Sequence, residues 1–99
     1  MFAYRYTWIM KRGRTEEGLE LCKTIPWPRS QEYGKLRIYT PGISPNLFVV
    51  ELVVESQEAK DKWFAEWGAT GKADAFWEKW GTLAERMVGE ERWEMTELA

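Results

Sequence analysis

Residues 47–55, Leu-Phe-Val-Val-Glu-Leu-Val-Val-Glu, are apolar at odd and even positions alike. A β-strand sends alternate side chains to opposite faces. A strand of this composition therefore belongs in the middle of a sheet that is covered on both sides. That condition is severe for a chain of 99 residues. A domain so short buries only about 60–65% of its unfolded surface, so sharing a core with a partner helps it.

The segment before it is a second strand, Lys35 to Thr40, and the connection Pro41-Gly42-Ile43-Ser44-Pro45-Asn46 has turn chemistry. A hairpin register follows from matching faces. Thr40 pairs with Phe48, Ile38 with Val50 and Leu36 with Leu52 on one face. Tyr39 then meets Val49, and Arg37 meets Glu51, on the other. A slip of one residue would exchange the faces and lose both matches.

Upstream, residues 2–11 alternate strictly, with Phe2, Tyr4, Tyr6, Trp8 and Met10 on one side and Ala3, Arg5, Thr7, Ile9 and Lys11 on the other. This is a strand pattern, ended by Gly13. Thr15 is placed to cap a helix whose first turn holds Glu16 and Glu17 and whose stripe is Leu19, Leu21, Cys22 and Ile25. Pro26 stops it, and residues 26–34 read as a loop. After the third strand, Ser56 caps a helix carrying Ala59, Trp63, Phe64 and Trp67, interrupted at Gly68-Ala69-Thr70-Gly71. A further helix is predicted from Lys72 to Met87, with Phe76, Trp77, Trp80, Leu83, Ala84 and Met87 on one face, ending at Gly89. Arg92 to Leu98 reads as a closing strand, with Trp93 and Met95 on one side.

Strand, helix, strand, strand, helix pair, strand is the βαββαβ order of a ferredoxin-like α+β fold in a single domain spanning residues 1–99. Right-handed crossovers place the helices on one face of a four-stranded antiparallel sheet of order 4-1-3-2, the second crossover being split into two helices. The helix-free face then carries Leu47, Val49 and Val53 together with one full row of the first strand. That row is either the aromatic one or Ala3, Thr7 and Ile9; the pattern leaves the choice open. A face of this kind is too apolar for a monomer. Covering about 800 Å² per partner, at about 25 cal/mol per Å² of apolar area, is a large driving force. The expectation is a homodimer formed through the helix-free sheet face about a twofold axis.

Composition excludes much chemistry. Fourteen basic and sixteen acidic residues give a net charge of −2, with no general attraction to nucleic acid. No stretch approaches the roughly 20 apolar residues of a membrane span. The N-terminus runs straight into a strand pattern without a basic start and apolar signal core, so a cytoplasmic location is expected. Histidine is absent, which removes the commonest general base and metal ligand. Cys22 is the only cysteine, so no internal disulfide and no cysteine-ligated zinc or iron–sulfur site is available within one chain. No cofactor is expected. An RNA-binding module of the same element order would show a basic-glycine-aromatic run on its third strand, and Asn46-Leu47-Phe48-Val49-Val50 has none.

Seven tryptophans in so small a chain admit two readings. They fill the core and the dimer interface, or they line a pocket for a flat apolar or aromatic ligand. Arg37 and Glu51 form the best polar pair, with Tyr39 nearby as a donor. They are either an interface ion pair or a polar site inside the assembly. The candidate ligand-binding residues are Tyr6, Trp8, Arg37, Tyr39, Glu51, Trp63 and Trp67. Cys22, at an apolar helical position, is expected to be a buried inert thiol.

Lys11-Arg12-Gly13-Arg14 before an acidic helix start, Gly34-Lys35-Leu36-Arg37 opening the second strand, the glycine-containing hairpin and Ser56-Gln57-Glu58 after the third strand together resemble the dimeric α+β barrel superfamily and, within it, the NIPSNAP-like proteins. The Arg-x-Tyr pair frequent in the first strand of that family falls on Tyr6 and Trp8 here, so its arginine is missing. The resemblance implies two sheets packed into a barrel, with pockets between sheet and helices. It also implies a range of roles: cofactor-independent monooxygenases, haem-degrading enzymes, isomerases and proteins without known activity. The haem-degrading type uses a histidine that this chain lacks. The functional expectation is a homodimeric protein that binds a small apolar or aromatic ligand or serves as an interaction module. The alternative is a cofactor-independent monooxygenase or isomerase acting on a small aromatic or quinone-like substrate.

Overall fold

The computed structural model describes residues 1–25, 35–41, 46–96 and 98. Along the chain run β1 (Phe2–Met10), α1 (Thr15–Cys22), β2 (Lys35–Tyr39), β3 (Leu47–Val54), α2 (Gln57–Ala69), α3 (Lys72–Leu83) and β4 (Ala84–Glu94). The strands make one antiparallel sheet in the order β2-β3-β1-β4, which is the predicted 4-1-3-2 read from its other edge. The loop expected at 26–34, most of the hairpin turn (42–45) and Glu97 of the expected closing strand lie outside the described residues.

The doubly apolar β3 is central, between β2 and β1. Its pairing with β2 joins Leu36 to Leu52, Arg37 to Glu51, Ile38 to Val50 and Tyr39 to Val49, as face matching requires. The ladder stops there, so the expected Thr40–Phe48 pair is not part of it. In β1 the aromatic row turns toward the helices: Tyr4 and Met10 are buried, and Trp8 meets Trp80 edge-on at 5.5 Å. Rings of this size bury more area under helices than Ala3, Thr7 and Ile9 could. The opposite choice would also have put the Arg5 guanidinium beneath the helices, where an unpaired charge is costly.

Each helix meets the sheet for a local reason. Ser56 caps α2, its Oγ accepting from the Ala59 amide at 3.1 Å. Gly71, at φ 75°, supplies the left-handed turn between α2 and α3 that a side chain would resist. α1 begins at Thr15 itself, with Arg14 rather than Thr15 in the capping position. Arg14 also pairs with Glu17 one turn on. Gly18 lets α1 come close to the sheet. A Cβ there would stand 2.6 Å from Met10 Cε and 3.4 Å from the Trp80 ring.

The C-terminal third departs from expectation. The helix expected to run to Met87 ends at Leu83, and the strand expected at 92–98 begins at Ala84, with Gly89 inside it opposite Thr7. Two register shifts explain the misreading. β4 skips one residue between its partners to Thr7 and Trp8 and another between those to Ile9 and Met10. Such bulges displace a strand's facing by one residue each time. They bring Met87 and Ala84 onto the helix side of the sheet at a spacing of three, the spacing of an amphipathic helix.

The core lies between sheet and helices. Phe48, Met10, Leu83 and Val54 have at most 2% of their surface exposed. Each such side chain contributes about 1.5–3 kcal/mol by leaving water. Around them pack Trp63, Trp67, Phe76 and Trp80. A smaller group, Tyr4, Leu52 and Val54, fills the space beneath Phe64.

Two helical glycines are expected to respond oppositely to substitution. Gly18→Leu should destabilise by about 1–3 kcal/mol through overpacking against Met10. Gly68→Ala, with nothing within 4 Å of the added carbon, should stabilise by about 0.5–1 kcal/mol. Urea unfolding of both variants measures the pair.

Candidate ligand-binding cavity

The seven candidate residues divide between the two faces of the sheet. Tyr6, Trp8, Trp63 and Trp67 come together on the helix side, where they line a cavity of about 380 Å³. Arg37, Tyr39 and Glu51 meet on the helix-free side, around a basin of about 350 Å³. They do not form one site.

The cavity is a box of rings. β1 provides Tyr6 and Trp8, β3 the floor of Val50 and Leu52, and α2 and α3 most of the opposite wall, with Cys22 of α1, Leu36 of β2 and Met87 of β4 at its sides. Trp63 stacks on Trp67 at 5.3 Å, and Trp67 meets Phe76 edge-on at the same distance. Phe76 stacks on Trp80 at 5.8 Å, and Trp80 meets Trp8 and Phe48 edge-on. Contacts of this kind hold ring planes in fixed relation, each adding about 0.5–1.5 kcal/mol beyond area burial. Two apolar side chains on the cavity wall are also wet: Trp77 is 46% exposed and Met87 42%. They mark its opening, between α3 and β4.

Polar groups are few in these walls. Burial, joined by the charges of Glu90 and Asp61, pushes the Tyr6 hydroxyl up to about 12. Burial alone pushes the Cys22 thiol up to about 12, which makes it the inert side chain expected. The Trp80 indole N–H and the Tyr4 hydroxyl are sealed from water without a hydrogen-bond partner among the described residues. The Tyr4 ring carries the Lys60 ammonium 4.1 Å from its centre, a favourable cation–π geometry.

On the helix-free face Glu51 is buried, with 2% of its surface exposed. Its carboxylate accepts from Arg5 Nε at 2.6 Å, from the Tyr39 hydroxyl at 3.1 Å and from Arg37 Nη1 at 3.4 Å. Burial alone would raise its pKa. The hydrogen bonds from Arg5, Tyr39 and Arg37 and the Arg5 charge outweigh that and hold the carboxyl below its ordinary value. The Arg37–Glu51 pair and the Tyr39 donor are as expected, but the shortest bond comes from Arg5, which hairpin reasoning missed. The β1–β3 register that sets Arg5 opposite Glu51 was the signal that could have found it. Beside this cluster stand Trp93 and Met95, 53% and 44% exposed, over Ala3 and Val53. Among the described residues no group of three or more His, Cys, Asp or Glu side chains could hold a metal ion. No helix among them is long and apolar enough to cross a membrane.

Order, topology and one-sided helices define a ferredoxin-like α+β fold, and the pocket between aromatic strand and helices is built on it. Known proteins give the comparison its particulars. No protein-family model matches the sequence, and no curated protein does. Solved structures do match. A NIPSNAP family protein with unknown function from Agrobacterium tumefaciens has a TM-score of 0.77 at 19% identity, covering 100% of this chain and 91% of that one. An uncharacterized NIPSNAP domain protein from Burkholderia xenovorans has a TM-score of 0.77 at 15% identity, covering 100% and 98%. A proposed antibiotic biosynthesis monooxygenase from Deinococcus radiodurans has a TM-score of 0.73 at 15% identity, covering 100% and 96%. The chain thus shares the ferredoxin-like α+β fold of these proteins, and at these identities the likeness is one of fold.

Glu51→Gln keeps the shape and removes the charge that three donors address. It should lower stability at pH 7 by about 1–3 kcal/mol, the cost of disrupting a buried, charge-assisted set of hydrogen bonds. Because the folded carboxyl is held below its unfolded value, its stabilising contribution is complete above the ordinary carboxylate range. It is lost as pH falls through the depressed folded value. The gap between wild type and variant should therefore be full at pH 7 and narrow below about pH 4, measured by urea unfolding at both ends.

Proposed function

We propose that this protein is a homodimeric α+β barrel protein whose helix-side cavity binds a small apolar or aromatic ligand without a cofactor. The cavity carries the reading: about 380 Å³ walled by Trp, Phe, Leu and Val side chains and open past Trp77 and Met87. Sites for small molecules are concave, mostly apolar and marked by few polar groups. A tightly packed core would leave no such space.

The dimer is supported by the other face. Leu47, Val49 and Ile9 are only half buried there, and Tyr39, Trp93 and Met95 are exposed. A second copy related by a twofold axis would cover them, with the Arg5–Glu51–Arg37 cluster giving the contact a polar anchor.

Catalysis by cofactor-free oxygenation or isomerisation is the second reading, raised by the likeness to a proposed monooxygenase. Among the described cavity residues only Tyr6 and Cys22 carry ionisable groups; both are protonated at neutral pH, and burial raises their values further, to about 12. That favours binding over proton abstraction.

Sedimentation equilibrium at micromolar concentration should give twice the 11.7 kDa chain mass, and Trp93→Glu should give the monomer. Wild type that stays monomeric would remove the dimer. Naphthalene-sized aromatic compounds should quench tryptophan fluorescence saturably, and Leu36→Trp, which narrows the cavity, should abolish the response. Oxygen consumption on adding a bound compound would move the protein to the catalytic reading.

A further inference from the structure

We infer that the second copy covers the helix-free face with its β4 edge over this chain's β2 edge, so that Arg37 meets the partner's Glu91 and Glu51 faces the partner's Arg5. This arrangement rests on the dimer reading and selects one of the twofold relations open to it. The distribution of charge across the four strands carries it.

The ladders set the helix-free side chains in rows that run across the sheet. One row is Arg37, Glu51, Arg5 and Glu91, on β2, β3, β1 and β4 in turn. Its signs alternate. The row toward one end has Val53 and Ala3 at its centre, and those toward the other end have Val49 with Thr7 and Leu47 with Ile9. Charge therefore enters the middle of the paired rows once. The two edges also differ in sign. β2 presents Lys35 and Arg37. β4 presents Glu91 opposite Arg5, and its Arg86 stands opposite Ile9, past the last pair that β2 makes. Lys35, Arg37 and Glu91 are exposed.

Sheets stacked in the aligned manner keep their strands within about 30° of one another. A twofold axis between two such copies runs either along the strands or across them. An axis along the strands exchanges the edges and keeps each row opposite itself. The alternating row then meets its own reverse. Arg37 lies over the partner's Glu91, Glu51 lies over the partner's Arg5, and the symmetry makes each contact twice. In the next row Tyr39, which is 43% exposed, comes over the partner's Gly89. The largest side chain of that row thus faces the residue that has none. An axis across the strands keeps β2 over β2 and reverses the order of the rows. Centred on the charged row, it sets Arg37 against the partner's Arg37 and Glu51 against the partner's Glu51. Centred elsewhere, it lays Glu51 and Arg5 over a row whose middle is uncharged. Like charges in contact and charges covered by hydrocarbon both oppose association.

The test is cross-linking of the intact protein with a short bismaleimide, at a concentration where sedimentation shows the dimer. Arg37→Cys combined with Glu91→Cys should give a covalent dimer. Neither substitution alone should, because an axis along the strands holds like positions at opposite edges. Cys22 is buried, and wild type serves as the control for it. Arg37 makes the longest of the three bonds to Glu51, so the cluster retains Arg5 and Tyr39 in these variants. A second measurement removes one charge without a cross-linker. Glu91→Gln should raise the dimer dissociation constant roughly three- to tenfold at low salt, as expected for an exposed ion pair lost twice. Glu94→Gln, on the same strand but opposite Phe2 on the helix side, should leave it unchanged. Single variants that cross-link by themselves, or a double variant that does not, overturn the arrangement and leave the dimer standing. Equal effects of Glu91→Gln and Glu94→Gln overturn the contact between Arg37 and the partner's Glu91. Wild type that sediments as a monomer overturns the dimer reading and the arrangement with it.

Discussion

β3 must be kept from water on both sides, and the protein does this by two unlike means. On one side Phe48, Leu52 and Val54 lie under helices and are dry because large rings fill the space above them. On the other side there are no helices, and the middle of the strand carries Glu51. A carboxylate could not lie so deep with water as its only partner, so the adjoining strands bring Arg5, Arg37 and Tyr39 to it. Both arginine side chains remain about half exposed, at 47% each. The guanidinium groups thus keep contact with solvent while their partner does not, which limits the desolvation cost to one charge.

The cavity follows from the same one-sidedness. Three helical segments must cover a face whose β1 row is already aromatic, and they do so with more aromatics. Rings are rigid plates, and plates stacked or set edge to face leave space between them that flexible chains would fill. The rings are braced by one another in a chain of contacts from Trp63 to Trp67, Phe76, Trp80 and Trp8. Bracing of this kind holds the ring planes in fixed relation to one another. The bulges in β4 complete it, because without the shift between Thr7 and Trp8 the Met87 side chain would fall on the opposite face.

Each face therefore has its own chemistry, and the candidate residues read from the sequence belonged to both. Tyr6 and Trp8 share a face because they are two apart in β1. Arg37 and Glu51 share one because they pair across the hairpin. What the sequence left open was a single fact, the side of β1 that meets the helices. That same fact hides Arg5. Once the aromatic row faces the helices, Arg5 is carried to Glu51 by the register.

What the sequence determined alone was whatever depends on local periodicity and capping. Period-two alternation sets the hairpin register from Leu36–Leu52 to Tyr39–Val49, Ser56 starts α2, and Gly71 divides α2 from α3. What only the tertiary structure decided was anything that compares one packing with another. These are the face of β1 that goes inward, the close approach at Gly18, and the end of α3 at Leu83, where β4 takes over. The physical reason is that alternation states which side chains travel together, but not which group lies under the helices. Leu83, Ala84 and Met87 show the same limit. Their spacing suits a helical stripe and a bulged strand equally well, and pairing along β1 chose the strand for Ala84 and Met87.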